Sequence, residues 1–114
     1  MIVKPQNTEY PFHPLYILKM NKLEKDYAYQ LEMLMLSGQI LRWYYEHLNF
    51  RLARKTFYMP DFMVVKKEQI ELHEVKGFWR DDARVKIKVA AQMYPWFKWV
   101  AVQWKNKQWI YEEF

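Results

Sequence analysis

With 114 residues, the chain fits one domain and leaves little room for a second folding unit. Apolar residues make up 52% of it and only 2 are glycine, which excludes a disordered chain; the absence of cysteine excludes disulfides and thiolate zinc sites. Lys and Arg outnumber Asp and Glu by 18 to 13, a basic balance that permits a polyanionic partner. The 6 Trp and 9 Tyr are more rings than so small a domain readily hides, so some are expected at an interface or binding surface. No stretch approaches the ~20 apolar residues of a membrane helix. The opening "MIVKPQNTEYPFHPLYI" lacks a run of signal-peptide type. A cytoplasmic protein with no membrane partner is expected.

Residues 1–18 carry Pro5, Pro11 and Pro14, which oppose a helix and predict an extended N-terminal arm. Over 22–36, Leu23, Tyr27, Leu31 and Leu34 recur at helical spacing, with Asn21 placed to cap the start and Gly38 just past the end. Residues 39–54 turn aromatic and β-branched and read as one long or bent strand. Residues 56–66 read as a second strand, with Pro60 at an edge or bulge. Residues 69–76, "QIELHEVK", alternate cleanly as a third strand, joined to the second by a short "KKE" connection. After Gly77, Asp81 or Asp82 can cap a helix over 83–93, which Pro95 ends. Residues 97–104 and "QWIYEE" supply a fourth and a fifth strand. A helix between the third and fourth strands is how a crossover is made, so the fold class is α/β, with a mixed four- to five-stranded sheet flanked by helices.

Strand side chains alternate faces, so Ile70, Leu72, Glu74 and Lys76 share one face, and the two aliphatics mark it as the buried one. Asp61 shares a face with Phe57, Met59, Met63 and Val65. If the two strands pair as a hairpin, Asp61 and Glu74 meet at one end of the sheet. Charges placed there need partners. Glu24 falls near the middle of the apolar side of the first helix, where an acid should meet a metal or a cation. It also stands three residues after Asn21, the spacing of a capping box. Both roles are open, and they are compatible. Three acids converging with one lysine suit a definite chemistry. Carboxylates hold Mg²⁺ or Mn²⁺ through hard oxygen ligands, such an ion polarises phosphate and acidifies water, and a lysine orients that water and stabilises charge. Phosphodiester hydrolysis needs these roles together.

At these residues the chain resembles the PD-(D/E)XK nuclease superfamily: "YMPDF" and "HEVKG" look like its two central motifs. "HEVKGFWRDDARVKIKVAAQMYP" is similar to small phage junction-resolving endonucleases of the endonuclease I type. The resemblance spans roughly residues 21–104. It implies a restriction-endonuclease-like core, with Asp61, Glu74 and Glu24 as metal ligands and Lys76 as the catalytic lysine. It also implies a Mg²⁺-dependent (or Mn²⁺-dependent) endodeoxyribonuclease acting on branched DNA as a homodimer, in a bacterial or phage-infected cell.

Arg80, Arg84, Lys86, Lys88 and Lys105 form a set that can grip phosphates, or a solvated basic face. Trp96, Trp99, Trp104 and Trp109 can stack on unpaired bases, or fill a core or subunit interface. Tyr29, Met33 and Leu36 put a second apolar surface on the first helix. His73 points away from Glu74, and His13 and His47 lack ligand spacing. Two other functions fit less of the pattern. One is a nuclease of linear or flapped DNA or of RNA. The other is a non-catalytic nucleic-acid-binding or assembly protein, which would not need Asp61, Glu74 and Lys76 together.

Overall fold

Helix α1 (Lys22–Leu36) begins where the sequence predicts, and its first turn shows why. The Asn21 side chain accepts from the Glu24 backbone N–H at 2.8 Å, and the Asn21 N–H donates to Glu24 Oε1 at 3.0 Å. This reciprocal pair satisfies two amides that a helix start leaves without intrahelical partners. The helix stops at Gly38, whose φ of 84° is a left-handed value that glycine adopts without a Cβ clash. The computed structural model describes residues 19–114, so the predicted N-terminal arm lies outside the described residues.

The remaining elements are β1 (Arg42–Tyr45), β2 (Phe50–Ala53), β3 (Thr56–Tyr58), β4 (Phe62–Val65), β5 (Ile70–Lys76), α2 (Asp81–Met93), β6 (Lys98–Lys105) and β7 (Gln108–Glu113). A five-stranded sheet runs in the order β1-β4-β5-β6-β7. The pairs β1–β4, β4–β5 and β6–β7 are antiparallel, and β5–β6 is parallel. Helix α2 makes the crossover that a parallel pair requires. The fold is therefore α/β with a mixed sheet, as expected. Among the described residues, no helix is long and apolar enough to cross a membrane.

Two expected strands are each divided. Residues 39–54 do not form one strand: β1 joins the main sheet, whereas β2 pairs with β3 in a separate two-stranded sheet. The break falls at Glu46, whose φ of 48° no continuous strand allows. Its amide turns to donate to the Asp61 carbonyl at 2.8 Å. Likewise 56–66 divides into β3 and β4 around Pro60, which has no N–H for a ladder. The β2–β3 hairpin is thus an excursion between two neighbouring strands of the main sheet. It also breaks the expected common face of Asp61: Met63 is buried with it, but Phe57 and Met59 are exposed.

Helix α2 starts two residues earlier than expected. Arg80 occupies the cap position without a side-chain cap bond, and Asp81 and Asp82 lie in the first turn. Acids there favour the positive end of the helix dipole.

Both faces of the sheet are covered. On one, Tyr27, Ala28 and Leu31 of α1 pack on Trp43, Tyr45, Phe62, Val64, Val75, Val100 and Val102. On the other, Ile87 and Ala90 of α2 and Phe50 and Tyr58 of the hairpin pack on Met63, Leu72, Trp99 and Ala101. Each large side chain fully buried there is worth roughly 1.5–3 kcal/mol relative to exposure.

Candidate active site

In the β4–β5 ladder Phe62 faces His73, so the next position outward sets Asp61 opposite Glu74. Antiparallel pairing thus brings the start of β4 and the end of β5 to the same sheet end. Asp61 and Glu74 are both buried, each only 8% exposed. The Asp61 N–H donates to Glu74 Oε1 at 3.3 Å, and the Val75 N–H donates to Asp61 Oδ2 at 2.8 Å. Lys76 Nζ lies 3.3 Å from Glu74 Oε2, with its side chain half-exposed. The structure brings these three residues together as the sequence predicts.

The charges are poorly matched. Two buried carboxylates face one ammonium. Burial, then the Glu74 charge, pushes Asp61 up to about 8. Burial also raises Glu74, against the pull of Lys76, the Tyr58 hydroxyl and the Asp61 amide. Lys76 is raised because Glu74 and Asp61 outweigh its own desolvation. A hydrophobic fold gains nothing from such an arrangement. It suits a hard divalent cation, which supplies the missing positive charge to oxygen ligands.

Glu24 takes the capping role and more. Its Oε1 accepts from the Asn21 amide and, at 2.9 Å, from the hydroxyl of Tyr45 on β1. The carboxylate is half-buried and close enough that its charge raises both Asp61 and Lys76. Among the described residues, no three acidic or histidine side chains converge tightly enough to hold a metal ion. Asp61 and Glu74 are the two acids that come together, and Glu24 stands at their margin.

The basic residues separate. Arg84 forms a two-pronged pair with Glu112, at 2.8 and 2.5 Å, and lies over the Phe114 ring at 5.2 Å. It fastens α2 to β7. Arg80, Lys86, Lys88 and Lys105 are exposed. The tryptophans separate too: Trp99 is core, Trp109 is half-buried, and Trp96 and Trp104 are exposed.

Sequence reasoning missed two features. Tyr58, on the inserted hairpin, donates to Glu74 Oε1 at 2.9 Å and stacks on Trp99. Its place depends on the hairpin folding back over the sheet, which no local pattern announces. The second is a polar chain on the opposite face. His73 Nδ1 meets the Tyr27 hydroxyl at 2.7 Å, His73 Nε2 meets Glu71 Oε1 at 2.9 Å, and Lys66 lies 3.0 Å from Glu71 Oε2. Burial works against the Glu71 carboxylate, but His73 and Lys66 outweigh it and hold it at about 2. These groups line a cavity of about 280 Å³ beside α1. The available signal was the order of elements: helices before and after the strands imply a sheet covered on both faces, so Glu71 and His73 had to be buried as well.

No family model matches the chain, and no curated protein or solved structure is significantly similar to it.

Proposed function

We propose that the protein is a divalent-metal-dependent endonuclease of PD-(D/E)XK type, with a restriction-endonuclease-like core, that hydrolyses phosphodiester bonds in branched DNA. One observation supports this reading: Asp61 and Glu74, both buried, meet the half-exposed Lys76 at one sheet end, with two carboxylates against one ammonium. Asp61 and Glu74 would hold Mg²⁺ or Mn²⁺, and Glu24 stands close enough to add its charge. Bound there, the ion supplies positive charge to a phosphate oxygen and lowers the pKa of its water.

The chain's own groups do the rest. Tyr58 holds Oε1 of Glu74, which keeps the carboxylate aimed into the site. Lys76 reaches the same carboxylate from a half-exposed position, where its ammonium can meet a water and a phosphate together. Water adds to phosphorus as the bond to the leaving sugar oxygen breaks, and Lys76 offsets the charge gathered on the phosphate. Arg80, Lys86, Lys88 and Lys105 leave cations in solvent for the DNA backbone, each contact adding to the salt dependence of binding. The cytoplasm of a bacterial or phage-infected cell is the setting this reading implies.

The preference for branched DNA follows the phage-endonuclease motifs. Two strands of a junction must be cut, which suits a homodimer. Tyr29, Met33 and Leu36, exposed at helical spacing on α1, support such a contact. The test compares cleavage of a four-way junction with that of its matching linear duplex in Mg²⁺. The junction is expected to be cut faster by at least tenfold, on the order of 1.4 kcal/mol in the barrier. Equal rates would remove the junction reading and leave a nuclease of linear or flapped nucleic acid.

A further inference from the structure

The six residues of β7 form an edge of the main sheet: β6 pairs with them on one side, and among the described residues no strand pairs on the other. The opposite edge, β1, has only four residues and stops at the Glu46 bend. β7 lacks the usual protections of an edge. It has no proline and no bulge, and its middle is Trp109, Ile110 and Tyr111 rather than charges. Ile110 is 39% exposed and Tyr111 46%.

The ladder decides which backbone groups stay open. The Phe114 N–H donates to the Trp99 carbonyl at 2.9 Å. Hydrogen-bonded positions alternate in an antiparallel pair, so Glu112, Ile110 and Gln108 also turn their amides to β6, and Trp109, Tyr111 and Glu113 turn theirs outward. A second β7 can pair antiparallel with those outward groups about a two-fold axis. With the axis at Ile110, that residue meets its own counterpart. Trp109 then faces Tyr111 of the second copy, and Lys107 faces its Glu113, each pair occurring twice by symmetry. With the axis at Tyr111, Trp109 would face Glu113 and Ile110 would face Glu112. Of these two central registers, only the first matches ring to ring and opposite charge to opposite charge.

We propose that β7 pairs edge to edge with β7 of a second copy, with the two-fold axis at Ile110, to make one continuous sheet. About four ladder hydrogen bonds and two aromatic pairs close the contact. The register also aligns the two candidate sites. Lys76 lies beside Gln103, and Gln103 beside Ile110, in one row on the α2 face. The axis continues that row into the second copy, so the two Lys76 residues stand on the same face, five strand spacings or about 24 Å apart. One DNA molecule could then meet both sites. The contact is separate from the one offered by Tyr29, Met33 and Leu36 of α1. It needs nothing of the nuclease reading, but it supplies the second copy that a two-strand cut calls for.

Sedimentation velocity of the full chain in EDTA, from low to high micromolar concentration, measures the association with no cleavage. Ile110→Lys sets two ammoniums face to face on the axis and is expected to weaken the dimer roughly tenfold or more. Ile110 is part-exposed, and thermal unfolding checks that the variant folds. Lys107→Glu and Glu113→Lys each oppose like charges at both ends of the contact, and each alone should weaken it roughly tenfold. Mixed in equal amounts, the two variants regain both opposite-charge pairs, so a heterodimer tighter than either variant's own dimer is expected. Between the two central registers, only the axis at Ile110 gives that rescue. Leu36→Glu tests the α1 contact, and the β7 dimer should persist with it. A wild type that stays monomeric, a mixture that associates no better than its parts, or a dimer lost with Leu36→Glu and kept with Ile110→Lys overturns the proposal. Metal-dependent cleavage by a monomer would leave the nuclease reading intact. A β7 dimer that cuts nothing in any metal would do the reverse.

Discussion

Replacing Asp61 by asparagine should stabilise the metal-free protein at pH 8, by on the order of 2–5 kcal/mol. Asparagine keeps an oxygen to accept from the Val75 amide but removes a buried charge that Glu74 repels. The pH dependence of the wild type should show the same cost. The Asp61 carboxyl is raised from an ordinary 3.8 to about 8, and Glu74 is raised as well. Between those limits the native state binds more protons than the unfolded chain, so stability falls as pH rises from about 4 to about 8. His73 acts the other way, since burial lowers it and stability rises with pH until the unfolded histidine loses its proton near 6.5. His47 is lowered for the same first reason. Lys76, raised above 10.5, contributes stability that is lost only in more alkaline solution. The window from about 6.5 to about 8 therefore belongs to the Asp61–Glu74 pair, with a fall on the order of 1–2 kcal/mol. Urea unfolding in EDTA across that window should show the fall in wild type and its loss in Asp61→Asn. Mn²⁺ at a hundred times its Kd should restore about 2.7 kcal/mol to the wild type, and far less to the variant. A variant less stable than wild type at pH 8 would mean that the pair is not strained.

Replacing Lys76 by methionine should slow cleavage at saturating metal by about 10²–10³-fold. Metal affinity should move the other way or hold steady. Lys76 lies 3.3 Å from Glu74 Oε2, where its positive charge opposes a cation on the same carboxylate. Methionine retains much of the apolar stem and deletes that charge. Steady-state cleavage over a Mn²⁺ titration separates the two effects: the maximal rate drops, and the metal concentration for half the effect stays level or falls. A purely structural Lys76 would instead raise that concentration and leave the maximal rate near wild type.

Local patterns with a physical cause were legible in the sequence. α1 is readable because its apolar spacing, its Asn21–Glu24 cap and Gly38 agree. The meeting of Asp61 with Glu74 is readable because period-two alternation and a hairpin leave few other registers. What stayed hidden depends on distant contacts. Residues 39–54 look like one strand because Tyr45 and Phe50 are both good strand residues. They belong to opposite cores, and the break at Glu46 is held by a bond to Asp61, fifteen residues away along the chain. Tyr58 reaches Glu74 only because the inserted hairpin folds over the α2 face. Arg84 reads as a phosphate contact until Glu112, 28 residues on, closes around it.

The claim that the Asp61–Glu74–Lys76 end of the sheet is a metal-dependent phosphodiesterase site has one direct measurement. Purified wild type and Glu74→Ala are incubated with a four-way junction, duplex DNA, single-stranded DNA and RNA, in Mg²⁺, in Mn²⁺ and in EDTA. Cleavage by the wild type is expected in metal alone, and at least a thousandfold less by Glu74→Ala, on the order of 4 kcal/mol in the barrier. No cleavage of any substrate in either metal, or equal cleavage by the variant, would contradict it.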